Sequence, residues 1–184
     1  MIIISILRSV FSLYLCGCQP LTVLPSSDLQ SEDRFSTDSN GRFMIDRRRN
    51  HRPTWKLNLT EPVSSNYYPV VSRISLAEQT NEVAEERRQL WVLVDRAEGG
   101  TSRKEGQLEL MLHRRLFSDD AFGVGEPLNE TAWGVGLVVR GKHSLLPCVD
   151  TEQACSLTSR LEAERNLMKP VILLGAACSS PNIR

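Results

Sequence analysis

The adjacent acid pair Asp119-Asp120 is the first place to look for chemistry in this chain. Two carboxyls that act as nucleophile and acid on one bond must converge across the substrate from about 5 Å apart, and they usually come from distant parts of a chain. Neighbouring side chains diverge, so Asp119 and Asp120 read as turn formers. His51, His113 and His143 are far apart and show no ligand spacing of the HxxxH kind. No catalytic residue and no metal ligand is assigned. There is no nucleophile elbow and no phosphate loop.

Arginine is the more informative residue type. Arg114 continues the phase of Leu108, Leu110 and Leu112, at the end of an apolar face. A guanidinium there needs a carboxylate, a carbonyl or a ligand, because an unpaired buried charge is costly. One reading is a buried ion pair with Asp119 or Asp120. The other places Arg114 and Arg115 on the wall of a substrate cleft. The run Arg47-Arg48-Arg49, with Arg52 close behind, is short and flanked by acids, so a solvated loop fits it better than a nucleic-acid site. Asn58-Leu59-Thr60 and Asn129-Glu130-Thr131 both satisfy the N-glycosylation pattern in loop-like settings.

These residues need a scaffold, and the sequence supplies strands. Tyr68, Val70, Ser72, Ile74 and Leu76 alternate with period two. Leu90 to Val94 is a continuous apolar run, and Leu108 to Leu112 alternates cleanly. With Gly99-Gly100 between them as a turn signal, a hairpin from about Leu90 to Leu116 is expected. Residues 24 to 42 are rich in Ser and Asp and read as linker or loop. Glu78 to Gln89 reads as a solvated loop or short helical insert. LVVRG, after Leu137, predicts a further strand. Asp150, with Gln153 as in a capping box, predicts the start of a helix that buries Ala154, Leu157 and Leu161 and ends before Pro170. Val171 to Leu174 then reads as a strand. The fold class is mainly β, with one late α-helix and with sheet edges left open.

The bulk numbers are compatible with this. The chain has 184 residues, 41% of them hydrophobic, and 22 basic against 22 acidic side chains. That balance calls for neither nucleic acid nor an anionic membrane. Five cysteines form no paired CxxC set, and an odd count leaves at least one thiol outside any bridge within the chain. Met1 to Cys18 is mostly apolar but short for a span and carries Arg8, so no membrane span is expected. It reads as a secretory signal or as a leader from a misplaced gene start.

Several strings add a resemblance. FSTDSNGR (Phe35 to Arg42), RPTWKLNLTEP (Arg52 to Pro62), NYYPV (Asn66 to Val70), DRAEGGTS (Asp95 to Ser102) and GQLELMLHRRLFSDDAFGVGEPL (Gly106 to Leu128) resemble lysosomal-type α-mannosidases of glycoside hydrolase family 38. The likeness runs from about Phe35 to Cys178 and thins after Gly134. Phe122 stands where the family pattern has a basic residue, and Glu78 to Gln89 looks like an insertion. The resemblance implies residues 1–33 as leader and linker, and residues 34–184 as a partial C-terminal β-sandwich domain. It implies hydrolysis of terminal α-mannose from glycoprotein oligosaccharides by a full-length, zinc-dependent enzyme in the lysosome or secretory pathway. The zinc ligands and the nucleophile would sit on an N-terminal barrel that is missing here, so this chain would bind no zinc and would supply scaffold and cleft wall. The alternative is a non-catalytic β-sandwich that binds carbohydrate. An exposed aromatic platform would favour it, and Trp55, Trp91 and Trp133 form no obvious cluster.

Overall fold

The computed structural model describes residues 7–14, 21–23, 25–79, 86–170 and 172–173. Two antiparallel sheets pack face to face, and a helix lies on the outer side of the larger one. The strands are β1 (Leu7–Tyr14), β2 (Leu21–Val23), β3 (Arg34–Asp38), β4 (Met44–Arg48), β5 (Tyr68–Val70), β6 (Arg73–Ala77), β7 (Arg87–Val94), β8 (Glu98–Thr101), β9 (Glu109–His113), β10 (Thr131–Ala132), β11 (Val135–Gly136) and β12 (Val138–Asp150), followed by the helix α1 (Glu152–Leu167). The six-stranded sheet has the order β1-β12-β7-β6-β3-β4, the four-stranded sheet β2-β9-β8-β5, and β10-β11 is a separate small hairpin.

The apolar run in β7 is continuous because both faces of the six-stranded sheet are covered. Val92 and Val94 point into a cluster with Phe35, Val70, Ile74, Leu76, Leu108 and Leu110, between the two sheets. Trp91 and Leu93 point the other way, into a cluster with Leu146, Cys148, Cys155 and Ala163 beneath α1. A disulfide joins Cys148 on β12 to Cys155 on α1. It ties the helix to the sheet at the point where the chain reverses.

The expected hairpin from Leu90 to Leu116 is not formed. β7 pairs with β6 and β12, and the chain crosses to the other sheet before β8. Gly99 and Gly100 lie inside β8, opposite Met111 and Leu110, so the hairpin is β8–β9. Gly100 is there for close packing, since an added Cβ would sit 2.6 Å from Val70 Cγ2. The turn glycine is Gly106, at φ +69°.

The period-two stretch from Tyr68 to Leu76 breaks into β5 and β6, which belong to different sheets. Buried Asp38 causes the break. Its carboxylate accepts hydrogen bonds from the backbone N–H groups of Val71, Ser72 and Arg73 and from Ser72 Oγ. Asp38 also corrects the linker reading of residues 24–42, because Arg34–Asp38 is a strand and Phe35, Thr37 and Asp38 are buried.

Arg47 to Arg49 do not form a solvated loop. Arg47 and Arg48 end β4, Arg49 pairs with Asp33, and the guanidiniums of Arg47 and Arg52 lie 4.2 and 5.0 Å from the ring centre of Tyr68. Of the segment from Glu78 to Gln89, residues 80–85 lie outside the described residues, and Arg87 to Gln89 belong to β7. LVVRG opens a strand of 13 residues. Thr151, not Asp150, caps α1, through its side chain and the N–H of Ala154. The helix buries Cys155, Ser159 and Ala163, whereas Leu157 and Leu161 are exposed. The disulfide fixes which face turns inward, and the leucine periodicity does not. Of the strand expected at Val171 to Leu174, Ile172 and Leu173 are described and lie exposed in no strand.

Candidate functional site

The residues singled out for chemistry lie mostly on one excursion of the chain, the arm that leaves β9 after His113 and returns at β12. β9 is firmly seated. Leu108 and Leu110 pack against the other sheet, and Leu112 is buried as well. On the opposite face, the Glu109 carboxylate accepts from Tyr67 Oη and pairs with Arg103 Nη1 at 3.4 Å. Burial, and then the Glu109 carboxylate, push the Tyr67 phenol well above its ordinary range.

Beyond His113 the alternation ends and the arm leaves the core. Arg114 is exposed, which overturns the buried-ion-pair reading. Its supposed partners are engaged elsewhere: Asp119 Oδ2 accepts from Ala121 N at 3.2 Å, and Asp120 Oδ1 from Phe122 N at 3.1 Å. These are the turn bonds expected of Asp, and Ala121 sits at φ +59° within them. Arg115 is half-buried. Its Nε donates to Asn129 Oδ1 at 2.7 Å and its guanidinium lies 5.2 Å from the ring centre of Phe117. With the backbone bond from Leu116 N to Leu128 O, this contact closes the base of the arm. The tip is apolar and open to solvent: Phe122 is 93% exposed and Val124 82%.

The chemistry available on the arm is limited to guanidinium donors, two turn-bound carboxylates and an apolar tip. Asn58 and Asn129 are both exposed. Among the described residues no three His, Cys, Asp or Glu side chains converge as a metal site. His143 Nε2 is held by buried Glu98.

Residues 22–122 match the model of the C-terminal domain of glycosyl hydrolases family 38. The chain belongs to that family. The match begins at Thr22, earlier than the strings from Phe35 suggest, and takes in Arg114, Arg115, Asp119 and Asp120. Over 146 residues the chain is 51% identical to lysosomal alpha-mannosidase from Bos taurus and 50% identical to that from Homo sapiens. It is 44% identical over 126 residues to alpha-mannosidase from Canavalia ensiformis. The bovine alignment covers 79% of this chain but 14% of that relative, so the chain spans about one seventh of the length of the family 38 enzymes it matches. The chain is thus similar to the C-terminal part of lysosomal alpha-mannosidases, and here that part forms two packed sheets and one helix.

Sequence reasoning missed the long-range polar contacts that hold this region together, two of them buried and one, at Glu105, exposed. Asp38, Glu105, and the pair Glu98 and His143 each bind partners more than 30 residues away. No local pattern marks such contacts. Glu105 accepts from the backbone N–H groups of Ser31, Glu32 and Asp33, and so pins the segment before β3 to the β8–β9 turn.

Proposed function

We propose that this chain is a scaffold and cleft-wall piece of an α-mannosidase acting on terminal α-mannose of glycoprotein oligosaccharides. In this reading the nucleophile, the acid/base carboxyl and the zinc belong to a barrel outside the sequence, and the chain has no hydrolytic activity alone. The observation that carries it is the arm from Arg114 to Gly136. It is an exposed, arginine-bearing excursion with an apolar tip, set on a well-packed sandwich whose relatives are mannosidases. Large exposed apolar side chains grouped on one element mark a contact surface, and the barrel is the partner this reading assigns to it. Arg114 is the substrate-facing donor. Arg115, held by Asn129, positions the base of the arm. The relatives' printed names support the lysosome as the compartment of the full-length enzyme, reached through the secretory pathway.

The test is made on the chain joined to the remainder of a full-length relative. Arg114→Gln should lower kcat/KM on an α-mannoside by about tenfold or more, the worth of one charge-assisted contact to substrate. Thermal stability should stay unchanged. Full activity in that variant would remove Arg114 from the cleft.

A further inference from the structure

The face of the six-stranded sheet that carries α1 is only partly covered by the helix. Between the first half of α1 and strands β3, β4, β6 and β7 lies an open groove of about 650 Å³. That volume is in the range of small-molecule sites. Register explains its chemistry. Ser36 pairs with Ser75 and with Asp46, and Ser75 with Trp91, so these residues share the α1 side of the sheet. A sheet face beside a helix is ordinarily apolar; this one presents hydroxyl, carboxylate and guanidinium groups.

Three observations point to a ligand. Ser75 is only 5% exposed and lines the groove, yet its hydroxyl makes no hydrogen bond among the described residues. The groove opens onto this hydroxyl, which can donate to or accept from a molecule seated there. Arg34 and Arg42 also line the groove and form no ion pair among the described residues, while of its two carboxylates Asp46 accepts from Ser36 Oγ and Glu152 is paired with Arg87. The groove is thus left with positive charge. At its rim the ring of Phe43 is 60% exposed.

We infer that this groove is a second carbohydrate site, separate from the arm, and that it takes a saccharide bearing an anionic group such as sulfate. The faces of sugar rings carry C–H groups that pack on an aromatic ring, as Phe43 offers. Their hydroxyls need both donors and acceptors, which Ser75 and Asp46 supply. The anionic substituent meets Arg34 and Arg42. The inference does not rest on the cleft-wall proposal, since the groove and the arm share no residue.

Calorimetric titration of the chain tests it, with a monosulfated disaccharide, its unsulfated parent, inorganic sulfate and a nucleoside monophosphate as probes. The sulfated disaccharide should bind at least about tenfold more tightly than each of the other three. Phe43→Ala and Arg42→Gln should each weaken it by about tenfold, with the melting temperature unchanged because both side chains are exposed. Trp55→Ala, an exposed aromatic away from the groove, should leave binding intact. No binding of the sulfated disaccharide overturns the inference. So does equal binding of sulfate alone, of the unsulfated parent or of the nucleotide, and so does binding indifferent to Phe43 and Arg42.

Discussion

His143 Nε2 lies 3.0 Å from a carboxylate oxygen of Glu98, with side chains 2% and 3% exposed. The contact joins β12 of one sheet to β8 of the other, at the place where the chain crosses between them. A carboxylate taken out of water is kept only if it is paired, and losing one member of such a pair costs about 3–5 kcal/mol. Glu98→Leu is therefore expected to destabilise the chain by about 3 kcal/mol in urea unfolding. A loss below about 0.5 kcal/mol would show that the pair does not hold the sheets together.

Asp38 offers a sharper contrast. Its carboxylate accepts three backbone N–H groups and a hydroxyl at the break between β5 and β6. Asp38→Ala leaves those buried donors without a partner, at about 1–3 kcal/mol for each group that water cannot reach. Asp38→Asn keeps one acceptor oxygen and should cost less. Equal losses in the two variants would mean that the carboxylate is not organising the break.

Arg114 should behave as a surface residue when stability is read. Arg114→Met is expected to change unfolding free energy by less than about 0.5 kcal/mol, as exposed substitutions do. A loss near 3 kcal/mol would restore the buried pair that the structure does not show.

Asn58 is expected to carry a glycan when the chain passes through the secretory pathway. It sits in an exposed sequon, and the Thr60 N–H donates to the Asn58 carbonyl in a tight local turn. Treatment with a glycan-removing amidase should shift the wild type by two glycans and Asn58→Gln by one, the remainder coming from Asn129. An identical shift in both would leave Asn58 unmodified.

Local patterns made the strands legible and left the pairings hidden. Leu108, Leu110 and Leu112 announced β9, because alternation survives wherever one face is buried. The run from Leu90 to Val94 announced β7 but not its partners, since a strand buried on both faces carries no sign of which sheet it joins. Gly100 looked like a turn and is a packing glycine, a distinction that depends on Val70 across the interface. Arg114 kept the phase of β9 on paper, but the strand ends at His113, so the period no longer dictates its direction. The leucines of α1 misled for a related reason, because the Cys148–Cys155 bridge decides which face turns inward. In the arm, the turn role of Asp119 and Asp120 was legible, because such bonds reach only two residues ahead.

The most direct measurement is an activity assay on the purified chain with a chromogenic α-mannoside at acidic pH and added zinc, beside a full-length family member. A retaining cleavage needs two converging carboxyls, and Asp119 and Asp120 are each bound to their own turn. The chain alone should release no mannose while the full-length enzyme does. Turnover that survives purification and disappears when Asp119 and Asp120 are both changed to Asn would contradict this account and make that turn catalytic.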